Sequence, residues 1–285
     1  MAVRSAPDLR RAGAHSPGDA RASRWKCREP AVAAISSSRR SFAAARGFAR
    51  RQVAAGCRPV NVGIAALPDM IHAEEPMHPT DSAASSRARA LFDCGDVRAI
   101  ALVADDIPAI QAFFERNPEY FRDTAGAPPA PDEAAVEYAG MPSAEWGCTA
   151  KWAIGYRPAA NAGVGAPLVA FATLFADMFA PGVWHVDLFI VETARHGQGV
   201  ARCLYAALEA WTRARGARWL RLGVVSGTPR AERFWTRSGY GEVRTRANVP
   251  MKDAVRTIRV MVKPLDGGDV SAYLDLVARD RPEAA

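Results

Sequence analysis

The chain has 285 residues, 49% of them hydrophobic, with 37 lysines and arginines against 30 acids and a formal net charge of +7. Length and apolar content allow one or two domains with a core of ordinary density. No apolar run approaches the ~20 residues of a membrane span, so a soluble protein with no membrane partner is expected. The charge is uneven: residues 1–58 hold 13 of the bases and 3 of the acids, leaving 24 bases and 27 acids for the rest. Beyond that arm there is no positive excess, and nucleic-acid binding is not expected of the folded part.

Residues 1–85 are rich in Ala, Arg, Ser, Gly and Pro without a sustained helical or strand period. Such a composition buries too little apolar area to offset chain entropy, so residues 1–90 are expected to form a disordered basic extension. Its Arg- and Ser-rich, acid-poor character is also that of a transit peptide. An over-extended reading frame starting at Met70 or Met77, or a basic tail with weak affinity for nucleic acid or membrane, fits equally well.

Order is expected from Val97. Residues 97–103 read as a strand, and Asp105 or Asp106 then caps a helix with Ile107, Ile110, Phe113 and Phe114 on one face, closed by Asn117-Pro118. A Pro-rich turn precedes a short helix over 132–139. Tyr120 and Phe121 are either pocket or core residues. Strands over 151–157 and 168–179 form an antiparallel hairpin with a long connection, and a third apolar strand begins after Pro181-Gly182.

That third strand runs into a polar turn, then Gly197 and Gly199, then a helix with Val200, Leu204, Leu208 and Trp211 at i, i+4, i+8 and i+11. A glycine turn at a helix N-terminus is suited to an anion, because the first N–H groups have no internal acceptor. The same glycines also suit a close-packed strand-to-helix turn, and the pair alone does not choose. A strand over 217–225, a helix over 229–238 and two closing strands follow, and 265–285 reads as a tail with a short helix over 271–277 and frayed residues 279–285.

Five scattered cysteines form neither a disulfide framework nor CxxC pairs, which predicts reduced thiols in the cytoplasm. The five histidines include no pair at helical ligand spacing, so no metal is expected.

This order of elements resembles the GCN5-related N-acetyltransferases over residues 97–264, and two segments carry the resemblance. HGQGVA at 196–201 is similar to the family's acetyl-CoA signature, with Gly199 and Ala201 in place; TPRAERFWTRSGY at 228–240 matches its second landmark at Ala231, Phe234, Gly239 and Tyr240. The PEYF…PP segment resembles an uncharacterised subgroup. The resemblance implies a mixed α/β fold of about six to seven mostly antiparallel strands with a splayed central pair and about four helices.

It further implies an acetyl-CoA-dependent N-acetyltransferase that moves an acetyl group to a primary amine, of a small molecule or a peptide, by direct attack in a ternary complex. A monomer or homodimer is expected, and the alternative is an inactive module binding CoA as a sensor. His196, Gly197, Gln198, Gly199, Val200 and Ala201 would cradle pyrophosphate, and Phe189, Ile190 and Val191 with Thr228 would hold the pantetheine arm. A backbone N–H near Phe189 or Ile190 would stabilise the oxyanion. His196 stands where Gln or Arg is usual, Thr228 where Asn is usual, and Trp235 where a Tyr often protonates the departing thiolate.

On the same resemblance His185 and Asp187 are the catalytic candidates, placed by period-2 alternation on one face with Phe189 and Val191. His185 as a satisfied strand-end residue and Asp187 as a turn cap form the competing reading, as does direct attack by a neutral amine with water carrying the proton. Acceptor selection would fall around 113–141 and 246–254. Glu115, Glu119, Asp132 and Glu133 there suit either a cationic amine or a solvated helix face.

Overall fold

The computed structural model describes residues 89–266 and 268–283. The expectations for residues 1–88, including a start at Met70 or Met77, lie outside the described residues. Eight strands form one sheet: β1 Ala90–Cys94, β2 Val97–Ala101, β3 Ala150–Pro158, β4 Ala170–Ala176, β5 Val183–Val191, β6 Trp219–Val225, β7 Gly241–Met251 and β8 Ala254–Pro264. Their order is β1-β2-β3-β4-β5-β6-β8-β7, antiparallel throughout except for β5 with β6. The mixed, mostly antiparallel α/β class is as expected, with one strand more. The addition is β1, a five-residue strand hairpinned onto β2 through Gly95 at φ 62.

Six α-helices occur among the described residues: α1 Ile107–Arg116, α2 Pro118–Ala125, α3 Glu133–Ala139, α4 Val200–Arg213, α5 Pro229–Arg237 and α6 Val270–Leu276. Asn117-Pro118 ends α1 as expected but also starts α2, because proline is tolerated at a first helical position where its missing N–H is not needed. Buried Asn117 joins the two: its amide donates to the Phe113 carbonyl (2.7 Å) and its side-chain oxygen accepts from the Thr193 N–H (2.8 Å). Asp106 does not cap α1 through its side chain. Its fully buried carboxylate instead receives Arg157 at 2.9 Å and Arg89 at 2.7 Å.

Helices cover both faces of the sheet. On one, the apolar stripe of α4 (Val200, Leu204, Leu208 and Trp211, as its spacing predicts) packs on Val186, Val191 and Leu222. On the other, α1 to α3 bury Ile110, Phe113, Phe114 and Phe121 against Phe171, Leu188 and Ile190. Strand β4, apolar on both sides, is buried along its whole length.

The C-terminal segment is no tail. Asp269 caps α6 by accepting from the Ala272 N–H, Tyr273 and Val277 enter a third apolar cluster with Trp219 and Val260, and Asp280 is fully buried. The fraying expected of 279–285 is corrected at Asp280: its carboxylate takes a two-pronged bond from Arg221, at 2.6 and 3.1 Å.

Candidate active site

Strands β5 and β6 pair only at Val183–Trp219, Trp184–Leu220 and His185–Arg221, then diverge. Past that point each keeps its other neighbour, β4 for β5 and β8 for β6, so their facing edges lack a strand partner. The gap opens into a cleft of about 1640 Å³ that reaches from Val186 and Asp187 on β5 and Leu222 to Val225 on β6 to the first turns of α4 and α5. A strand edge exposed inside a cleft is suited to an extended ligand with amide groups, held as an added strand would be. Phe189 forms the apolar floor, stacked on Phe234 (6.0 Å, 12°) and edge-on to Tyr205 and Trp235.

At the α4 end the backbone is built for an anion. Gly197 and Gly199 have φ of 77 and 82, and a Cβ at either would meet nothing within 4 Å, so the left-handed turn requires glycine and the space before it is open. Cys203 is the first N–H near the start of α4 to find a carbonyl, that of Gly199 at 3.2 Å. The N–H groups of Val200, Ala201 and Arg202 therefore have no acceptor within the helix, and its dipole adds to their attraction for negative charge.

His196 acts at one remove. Its Nδ1 accepts from Arg230 Nη1 at 2.6 Å, since guanidinium only donates, which leaves Nε2 to donate to the Val191 carbonyl at 2.9 Å. The ring therefore positions Arg230, a cleft residue with no family signature to point to it. Among the other expected cradle residues, Phe189, Ile190, Val191, Gly197, Gly199, Ala201 and Thr228 line the cleft. Gln198 and Val200 bring only backbone: the Gln198 amide turns back to the Ala194 carbonyl, and the Val200 side chain is in the core. The Thr228 hydroxyl donates to the Val225 carbonyl at 2.6 Å.

At the other end a smaller cavity of about 330 Å³ shares His185, Asp187, Arg221 and Arg246 with the cleft, so the two adjoin. His185 Nε2 lies 3.6 Å from Asp187 Oδ1, and its Nδ1 faces Arg221 Nη1 at 3.2 Å. The expected pair is thus brought together, but not as alternation placed it. Between Thr173–Leu188 and Leu174–Val186 the β4–β5 register skips Asp187, an extra residue in β5. Such a bulge reverses the side-chain phase. Phe189 and Val191 pack on the α4 side, whereas His185 and Asp187 share a cavity with Glu137 of α3 on the opposite side, which corrects the common face expected for the four.

Burial, and then Arg221 against the opposing pull of Asp187, lower the His185 pKa, leaving a neutral ring whose lone pair is already directed at a guanidinium. The group poised to take a proton is Glu137, which the sequence reading did not single out. It is partly buried at the cavity wall, accepts from the Thr173 hydroxyl at 2.7 Å, and is pushed up to about 7 by burial first and by the Asp187 charge second. Lys151 ties down the end of α3 by donating to the carbonyls of Glu137, Tyr138 and Gly140. Tyr120 lines the cleft, whereas Phe121 is core. Trp235 sits edge-on to Tyr205, whose hydroxyl bonds that of Tyr240 at 2.9 Å.

A splayed parallel pair thus leads from a helix N-terminus toward a carboxyl of near-neutral pKa. Residues 119–240, from α2 to just beyond α5, match the model of the acetyltransferase (GNAT) family, the family that the two sequence motifs resemble. Among solved structures, a GCN5-related N-acetyltransferase from Kribbella flavida is 23% identical, with 61% of this chain and 100% of that one covered at a TM-score of 0.45. The ribosomal-protein-S18-alanine N-acetyltransferase from Escherichia coli is 18% identical (61% and 97% covered, TM-score 0.44). Spermidine N-acetyltransferase from Vibrio cholerae, in complex with CoA and spermine, is 16% identical (60% and 96% covered, TM-score 0.45). No curated protein matches.

Proposed function

We propose that this protein transfers an acetyl group from acetyl-CoA to a primary amine by direct attack within a ternary complex. The observation that carries the reading is the alignment of three features: unpaired edges of β5 and β6, free N–H groups of α4 at one end of the cleft, and Glu137 in the cavity adjoining the other. The turn at 197–201 and Arg230 would hold the pyrophosphate, and the edge at 189–191 the pantetheine amides. Glu137 takes a proton from the incoming ammonium, which frees the nitrogen lone pair to attack the thioester carbon. A β5 N–H near Phe189 or Ile190 donates to the carbonyl oxygen as charge develops there. The C–S bond then breaks, the nitrogen gives up its second proton to leave a neutral amide, and that proton ends on the departing thiolate. His185 holds Asp187 beside Glu137 and is a positioning residue.

The test is CoA binding by calorimetry on the full chain, alongside acetyl-CoA-dependent thiol release. Wild type should bind and turn over, and Gly199→Glu, which puts a carboxylate into the open space before α4, should abolish both. Binding that survived Gly199→Glu would refute the cradle. CoA binding by wild type with no thiol release on any amine would favour a sensor.

A further inference from the structure

The acceptor cavity has two walls of opposite charge, which narrows what can fill it. At about 330 Å³ it lies at the small end of the roughly 300–1,000 Å³ range of small-molecule sites. One wall carries Glu137 and Asp187. The other carries Arg246 of β7 and Arg279 of the single 3-10 turn Ala278–Asp280. The remaining two cations of the lining are already engaged: Arg221 by Asp280, and Lys151 by the carbonyls ending α3.

Arg246 and Arg279 lack a carboxylate of their own. Arg279 lies between the rings of Trp146 and Phe179, 4.5 and 4.6 Å from their centroids, with no carboxylate within 4 Å among the described residues. Arg246 donates to the Arg279 carbonyl at 3.2 Å and comes within 3.8 Å of one carboxylate, that of Asp280, already gripped by Arg221, while its buried Nε has no hydrogen-bond partner. Burial and the neighbouring guanidinium groups hold both below the usual arginine range, the mark of cations crowded without enough counter-charge. The site as it stands wants an anion on this wall.

Resting on the acetyltransferase reading, we propose that the acceptor is a small zwitterion, a primary amine bearing a carboxylate a few atoms away, of which a free amino acid with an apolar side chain is the simplest form. The ammonium lies toward Glu137 and Asp187, and the carboxylate toward Arg246 and Arg279, whose planar donors fit a carboxylate two-pronged. Met141, Phe175 and Met178 supply the apolar lining for the side chain. A polyamine offers only cations and would leave the guanidinium wall unmatched and repelled.

The experiment compares matched pairs by thiol release on the full chain: phenylalanine with phenethylamine, methionine with 3-(methylthio)propylamine, and spermidine beside them. The amino acid of each pair should exceed its decarboxylated partner by roughly tenfold or more in kcat/KM, since a missing anion strands two desolvated guanidinium groups. Arg246→Met should collapse that ratio toward one, mainly through KM for the amino acid, and Arg246→Lys should restore part of it. Partners or spermidine turned over as well as the amino acids would overturn the inference while leaving the acetyltransferase reading intact. Failure of wild type to bind CoA would remove that reading, and the inference with it. A ratio unchanged in both Arg246 variants would overturn the carboxylate assignment.

Discussion

Replacing Glu137 by glutamine should slow the enzyme and stabilise the fold at once. Burial, and then Asp187, raise this carboxyl from 4.5 to about 7. The ionised form is disfavoured by about 3 kcal/mol on that basis, and by about 1–3 kcal/mol once solvent at its open edge is allowed for. In wild type the proton occupies the base below about pH 7, so kcat falls on the acid side; Glu137→Gln should cost about 10²–10⁴ in kcat and lose that limb.

The stability effect has the opposite sign. The unfolded carboxyl releases its proton near 4.5 and the folded one near 7, so between these values the folded state holds more protons and stability falls as pH rises. Above about pH 7 the whole penalty is present in wild type and absent in the glutamine variant, whose Tm at about pH 8 should be higher by roughly 2–10 °C. Steady-state thiol release across pH and calorimetric melting at two pH values read the two arms. An unaltered acid limb with kcat within about threefold of wild type would place the base elsewhere. A lower Tm at alkaline pH would mean that the carboxylate is ionised and stabilising in the fold, and would refute the origin assigned to its raised pKa.

Asp187→Asn removes the second cause of that rise, so the acid limb should move to lower pH by up to about one unit, read in the same profile; a shift upward would contradict the assignment. Asp280→Ala leaves the Arg221 guanidinium buried without its carboxylate and should cost about 3–5 kcal/mol at neutral pH, measured by urea unfolding. Burial alone would raise the Asp280 carboxyl, but Arg221 and Tyr273 hold it below the ordinary range. Its contribution is therefore present at neutral pH and lost as pH falls through that depressed value, and the variant should show a shallower acid loss than wild type.

The sequence made the α4 side of the site readable because local rules govern it. A left-handed turn admits glycine and little else, and the stripe from Val200 to Trp211 follows from 3.6 residues per turn. The chemistry side was less legible for three separate reasons. Alternation along β5 gave the wrong face for Phe189 and Val191 because one extra residue, Asp187, resets the phase, and a bulge depends on the partner strand rather than on its own residues. Glu137 looks like any acid on a short helix until β4 is laid under it and Thr173 and Asp187 come into reach. Arg246 and Arg279 stand 33 positions apart and converge only because α6 folds back on the sheet. His196 lines the cleft where its position puts it, and its ring contacts to Arg230 and Val191 follow from residues distant in sequence or turned back along the chain.

The burial of Asp280 also ties one end of the site to the segment after α6. His185 faces Arg221, Arg221 is held by Asp280, and Asp280 belongs to the 3-10 turn that follows α6. All eight strands lie before this turn in the chain, so it docks on a sheet whose strands are complete without it. Until that turn docks, the guanidinium beside the catalytic wall has no counter-ion and the cavity is missing Arg279. Docking of this turn thus completes the smaller cavity without touching the glycine turn before α4, so the two ends of the site depend on different parts of the chain.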